Sequence, residues 1–252
     1  MELASIEGRS RTALDHAQEQ ARARLISKLA PPAQPDGWNA LERLAVSAVM
    51  RMDQSGWHGK RVGALAKALA MASGVDALQA LEIGFAAEIH DIGMLSVPEE
   101  ILAKKGPLSE GERAAVLRHI DAGADILRDD RHPRIFLARE IARYHHAHWD
   151  GSGYPERVGG KFIPIAARIC AVADAYDEMI FGLCGHPRLT MDQALAELHR
   201  KAGSQFDPEL VASFDGMIRT ESEDLGMDLA SDAGMESFQE LVNALQEDRG
   251  YV

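Results

Sequence analysis

Residues 78–95 read LQALEIGFAAEIHDIGML. Leu78, Leu81, Phe85 and Ile89 recur at the spacing of one helix face, and that face ends in the adjacent pair His90-Asp91. The same period extends in both directions. Upstream, Leu41, Leu44, Ala45, Ala48, Val49 and Met52 form one stripe, and Val62, Leu65, Ala66 and Leu69 form another. Downstream, Ser109 followed by Glu112, just after Pro107, reads as a capping box that opens a helix. Ile135, Ala138, Ile141, Ala142 and His145 share a face; Ile165, Ile169, Val172 and Tyr176 share another that begins beside Pro164. Alternating strand patterns are scarce. The pattern predicts an all-α chain, a bundle of many medium-length helices.

The chain has 252 residues, 46% hydrophobic and 26% charged, enough apolar material for a sizeable core. Those proportions exclude disorder throughout, collagen-like repetition and a disulfide scaffold. With Cys170 and Cys184 as the two cysteines, a reducing compartment is expected. Lys and Arg number 27 against 39 Asp and Glu, a net charge of −12, which argues against a broad basic footprint for duplex nucleic acid. A small anionic ligand is compatible with that charge, because a bound metal can reverse the local field. No apolar run reaches membrane-spanning length, and MELASIEGRSR at the N-terminus lacks a signal-peptide core, so a cytoplasmic location is expected.

Leu14, Ala17, Ala21, Leu25 and Leu29 predict an amphipathic helix that PPAQPDG (31–37) breaks. This divides the chain into an N-terminal helix and linker (1–38), a main helical domain (39–219) and an acidic tail (220–252) with a short helix from about Glu236. The tail reads as solvated surface. The N-terminal helix carries no chemistry and is read as a contact for a protein partner or a second copy of the chain.

Of ten histidines, five stand in telling places. His90 and Asp91 are adjacent, as are His145 and His146; His58 opens a helix, His119 lies in LRHIDAGADIL and Asp174 in AVADAYDEM. Imidazole and carboxylate are the common ligands of zinc, iron and manganese. Neighbouring helical residues diverge by about 100°, so adjacent ligands can address two ions, and a carboxylate such as Asp91 can bridge a pair. A single histidine on an apolar face is usually a hydrogen-bonded core residue. Seven such side chains on several helices would need a costly hydrogen-bond network if no metal held them.

The ordered series HGKRVGALAKALA (58–70), IHDIGMLSVPEEIL (89–102), LRHIDAGADIL (117–127), YHHAHWDGSGYP (144–155), IPIAARICAVADAYD (163–177) and GSQFDPELV (203–211) resembles the HD-GYP domain, a branch of the HD phosphohydrolase superfamily. The resemblance implies an HD-domain multi-helix bundle with the HD-GYP extension, and a centre of two or three iron or manganese ions. It also implies hydrolysis of cyclic di-GMP to linear pGpG, and onward to GMP, through a hydroxide that bridges the ions. By matching position, His58, His90, Asp91, His119, His145, His146 and Asp174 are the implied metal ligands, with Asp91 as the bridging, catalytic carboxylate. Gly151, Gly153, Tyr154 and Pro155 fall on the signature loop. Substrate contacts are expected from Tyr154, Arg168 and Arg188. His148 is the expected proton donor to the leaving group, with His132 a second candidate.

The sequence departs from the family in three places. The HDxGK string ends here in Met94, and a thioether carries no charge to offer a phosphate. Gln54 stands where three-ion members have a glutamate, which favours two ions. FGLCGHPRL (181–189) replaces an RPYR-like string, with Leu183 and His186 at the arginine positions and Arg188 nearby. Two other readings follow from these changes: a silent signalling module that binds a partner or nucleotide, and a hydrolase of a different cyclic dinucleotide or other phosphoester.

Overall fold

A computed structural model describes residues 37–53, 55–104, 106–128, 132–155, 157–183, 187–225, 227 and 234–247. The N-terminal helix expected around residues 14–29, Gln54 and His186 lie outside the described residues. Among those described, the chain is helical without a strand; a lone bridge pairs Ala202 with Phe206. The order is α1 (Trp38–Val49), α2 (His58–Ala72), α3 (Ala77–Ala87), a 3₁₀ turn (Ile92–Ser96), a short α4 (Glu99–Leu102), α5 (Glu110–Leu117) and α6 (His119–Ile126). There follow α7 (Pro133–Tyr144), a second 3₁₀ turn (Gly160–Phe162), α8 (Ile165–Phe181), α9 (Met191–Lys201), α10 (Pro208–Asp224) and α11 (Gly234–Glu247). None of these helices is long and apolar enough to cross a membrane.

The axis of the fold is α2. Its expected stripe of Val62, Leu65, Ala66 and Leu69 is fully buried, and every residue from Arg61 to Ala70 is buried. Five helices, α1, α3, α8, α10 and α11, pack around it. The sequence permits this because α2 alternates alanine and glycine with larger residues, leaving little bulk on any side. A Cβ added at Gly59 would lie 2.3 Å from the Glu88 carbonyl oxygen, and one at Gly63 2.8 Å from that of Gly84. Backbone therefore meets backbone along α2 and α3, and this contact sets the start of α2 beside the His90-Asp91 turn at the end of α3.

Other expectations hold or shift for local reasons. The Ser109–Glu112 capping box forms, with both reciprocal hydrogen bonds present. On α1, Leu44 is 45% exposed while Trp38, outside the expected stripe, is 1% exposed. The helix is turned to seat its largest ring, over which the buried Arg134 guanidinium lies 5.3 Å from the ring centre. The boundary at 219 falls inside α10, which continues to Asp224. Beyond it, Phe238, Leu241, Val242 and Leu245 of α11 are all buried in the main core, not on solvated surface. The apolar period of residues 238–245 outweighs the acidic composition around it.

Candidate metal centre

Each expected ligand sits where a helix begins, ends or runs through the centre. His58 is the first residue of α2, His90 and Asp91 form the turn between α3 and the first 3₁₀ element, and His119 opens α6. His145 caps the C-terminus of α7 with His146 next, and Asp174 lies inside α8. Asp91 and Gly93 dock on α6: a Cβ at Gly93 would stand 1.9 Å from the His119 carbonyl oxygen.

The seven side chains converge into two donor groups, Asp91 with His119, His145 and His146, and His58 with His90 and Asp174. Within each group one donor atom per residue lies within 4.8 Å of the others. Asp91 Oδ1 is 3.3 Å from His119 Nε2 and 3.5 Å from His145 Nε2, whereas its Oδ2 is 3.6 Å from His90 Nε2. The two oxygens of one carboxylate thus face different groups. Asp174 Oδ1 is 3.2 Å from His58 Nε2 and 3.4 Å from His90 Nε2.

Tautomers agree with a metal-binding role. His90 Nδ1 donates to the Ala87 carbonyl at 2.8 Å, His119 Nδ1 to that of Val116 at 2.7 Å, and His145 Nδ1 to that of Ile141 at 3.0 Å. His58 Nδ1 donates to Asp177 Oδ2 at 2.7 Å. With the proton held on Nδ1, each Nε2 turns a lone pair toward the centre. His90 Nε2 and Asp174 Oδ1 are fully enclosed, yet neither has a hydrogen-bond partner. Buried polar atoms of this kind are costly unless something pairs with them, and a divalent cation fits both.

Burial disfavours charge on His58, His90 and His119, but facing carboxylates reverse this. Asp174 and Asp177 lift His58, Asp91 and Asp174 lift His90, and Asp91 lifts His119 above the ordinary imidazole value. Asp91 and Asp174 are held below the usual carboxylate range against burial, chiefly by His90. His146, desolvated and beside His145 and His119, falls to about 3, and His145 is lowered by burial and by His90 and His119 despite Asp91. The centre therefore keeps its carboxylates ionised and attracts positive charge at the points where Nε2 atoms meet them.

The signature loop is pinned to the turn between α9 and α10. Trp149 N donates to the Gln205 carbonyl at 3.0 Å and Asp150 N to that of Ser204 at 2.9 Å. Gly153 packs so closely that a Cβ would lie 2.3 Å from His148 N. The Tyr154 hydroxyl donates to Asp121 Oδ2 at 3.0 Å, and Asp121 Oδ1 accepts from Arg143. His148 lies outside both donor groups, with Nδ1 3.1 Å from Ser152 Oγ. His132 is the N-cap of α7 and accepts from Arg134 N. The Arg168 guanidinium is occupied by buried Asp207 at 2.5 Å and by the Ile163 carbonyl at 3.0 Å, so it braces the segment ahead of α8. Arg188 is exposed, and Leu183 is half-buried at the end of α8. Met94 is 3% exposed and packs with Ala48 and Val97.

Sequence reasoning passed over Asp177, Arg61 and Asp53 as participants. Asp177 follows Asp174 by three residues, and Arg61 follows His58 by three, so each lies on the same helix face as a ligand. Asp53 accepts from His58 N at 3.0 Å and from Arg61 Nη2 at 3.2 Å.

Comparison with known proteins places this geometry. The HD domain family matches residues 40–210. The chain is 36% identical over 168 residues to a 3'3'-cGAMP-specific phosphodiesterase 2 of Vibrio cholerae, covering 67% of this chain and 32% of that one. It is 35% identical over 177 residues to a cyclic di-GMP phosphodiesterase of Thermotoga maritima, covering 70% and 48%. The chain thus spans about a third to a half of the length of these relatives. In fold it is similar to a cyclic GMP-AMP specific phosphodiesterase of V. cholerae (TM-score 0.55, 18% identity, 81% of this chain and 53% of that one). It is also similar to an HDGYP protein of Bdellovibrio bacteriovorus (TM-score 0.52, 19% identity, 76% and 66%). With a family match that runs from α1 to the start of α10 and the HHAHWDGSGYP element on the loop beside the histidine groups, the chain belongs to the HD domain family, in its HD-GYP branch.

Proposed function

We propose that the chain is a metal-dependent phosphodiesterase that hydrolyses a cyclic dinucleotide. Cyclic di-GMP is the first candidate, opened to pGpG and then GMP, and 3'3'-cGAMP is the nearest alternative. The observation that carries this reading is the pair of donor groups that share Asp91. His58, His90 and Asp174 would hold one ion, His119, His145 and His146 the other, and Asp91 both; iron or manganese suits this mixed donor set. Two such ions, when bound, activate a water molecule and draw charge from the phosphodiester oxygens.

The chain's own residues supply the rest. The Nδ1 hydrogen bonds fix the imidazoles before substrate arrives, so little reorganisation is needed during reaction. The Tyr154–Asp121–Arg143 chain ties the signature loop to α6 and α7 and leaves Tyr154 at the loop to bound the substrate. His148, on that loop, is the proposed donor of a proton to the departing 3′ oxygen. Arg188 is the proposed phosphate contact from the segment ahead of α9. A contact from Arg168 would require it to leave Asp207, so its contribution to substrate is through the loop it braces. The test is to load the purified protein with iron or manganese, count the ions, and follow cyclic di-GMP and 3'3'-cGAMP by chromatography. Turnover of either supports the proposal, and full loading without turnover refutes it.

The silent-module reading draws on Met94, which sits among apolar side chains and presents no cation. Met94→Lys separates the two. A lysine stem is close in length to the methionine side chain, and position 94 follows Asp91 by three residues. For an enzyme slowed by the missing cation, turnover is expected to rise by up to about 10²-fold. Placing the ammonium in this cluster is expected to cost about 1–3 kcal/mol of stability. An unchanged rate in the folded variant counts against the cation as the missing element.

A further inference from the structure

A buried charge cluster lies against His58 on the side away from the metal-facing Nε2. Asp177 is 0% exposed and Arg61 2%. Arg61 Nε donates to Asp177 Oδ1 at 2.6 Å and Arg61 Nη2 to Asp177 Oδ2 at 2.9 Å, a two-pronged grip. The same Oδ2 accepts from His58 Nδ1. Arg61 Nη2 also reaches Asp53, whose Oδ2 accepts from the His58 backbone N–H. The Phe181 ring closes the cluster, 3.6 Å from the guanidinium carbon. Ring and backbone of His58 are therefore both fixed from this one cluster.

Burying ions in this way is weak grounds for stability, since apolar side chains of similar volume commonly serve as well. Its effect on His58 is specific. The other ligand histidines with an Nδ1 partner, His90, His119 and His145, rest on neutral backbone carbonyls. His58 rests on a carboxylate, and it belongs to the donor group that contains one fewer imidazole.

We propose that Asp177, locked in place by Arg61, is the positioning residue that fixes the tautomer and orientation of His58, and that it selectively secures the ion of the His58–His90–Asp174 group. The assignment rests on the two-ion reading above. An outer carboxylate partner of a metal-ligating histidine is typically worth 10–100-fold in metal affinity. The loss should fall on one ion and spare the one held by His119, His145 and His146.

The experiment uses the full chain loaded with manganese(II). Asp177→Asn keeps the shape but turns an N–H donor toward Arg61. Asp177→Asn combined with Arg61→Met removes both charges, so that no unpaired guanidinium is left in the core. Bound manganese is counted after equilibration with a metal-buffering chelator, electron paramagnetic resonance distinguishes a coupled ion pair from an isolated ion, and circular dichroism monitors the fold. The wild type is expected to hold a coupled pair. Both variants are expected to retain their helical signal, to lose one ion at about 10–100-fold lower chelator strength, and to give an isolated-ion spectrum. Retention of the coupled pair at wild-type affinity overturns the proposal, as does parallel loss of both ions from a folded variant. A wild type that holds a single ion overturns the two-ion reading itself, and this assignment with it.

Discussion

Asp91→Ala is expected to abolish loading of both metal positions and to lower turnover by on the order of 10³-fold or more. The size of the effect follows from where the two oxygens point. Oδ1 lies against His119 and His145, and Oδ2 against His90. No other ligand side chain contacts both groups through a carboxylate in this way, among the described residues. Its removal also leaves imidazoles facing one another without an anion, His119 Nε2 and His145 Nε2 being 3.4 Å apart. Asp91→Asn keeps the volume but loses the charge, and should fall close to the alanine variant. Metal content by mass spectrometry and hydrolysis by chromatography check both. Full loading at wild-type rate in either variant would contradict a shared carboxylate.

Gly93→Ala is expected to damage the same centre through the backbone. The added Cβ would stand 1.9 Å from the His119 carbonyl oxygen and 2.5 Å from Gly123 N, both main-chain atoms of α6. Neither can rotate away as a flexible side chain could, so α6 must shift and take His119 with it. Such overpacking is expected to cost about 3 kcal/mol or more. For a domain of this size that is a fall of roughly 6–12 °C in the unfolding midpoint. Metal affinity should drop as well. Gly111→Ala is the matched control: it lies on the exposed face of α5 with nothing within 4 Å of a new Cβ. Its effect should be within about 1 kcal/mol, in the stabilising direction. A thermal melt compares them, and equal midpoints for the two alanine variants would refute the close contact.

The fold class and the convergence of the seven donor side chains were both legible from helix periodicity. All of them but Asp174, which lies inside α8, stand at a helix boundary, as His90 and Asp91 do after Ile89, and helix ends bring such residues to shared corners. What the sequence concealed depends on contacts between distant segments. Asp177 reads as one more polar residue of α8 until Arg61, on another helix, is found against it. Arg168 reads as available for phosphate until Asp207 is found holding it. Leu44 and Trp38 compete for the same core, and only packing reveals that the indole occupies it. The acidic surroundings of residues 238–245 similarly masked an apolar face that only the assembled bundle completes.

That last helix has reach beyond its own packing. Phe238 meets Phe181 with ring centres 5.5 Å apart, and Phe181 roofs Arg61, which grips the carboxylate behind His58. Phe238 of α11 is thus linked to the His58 imidazole through Phe181, Arg61 and Asp177. Variants that unseat α11 are then expected to lose metal from the His58 group although every donor side chain remains in place.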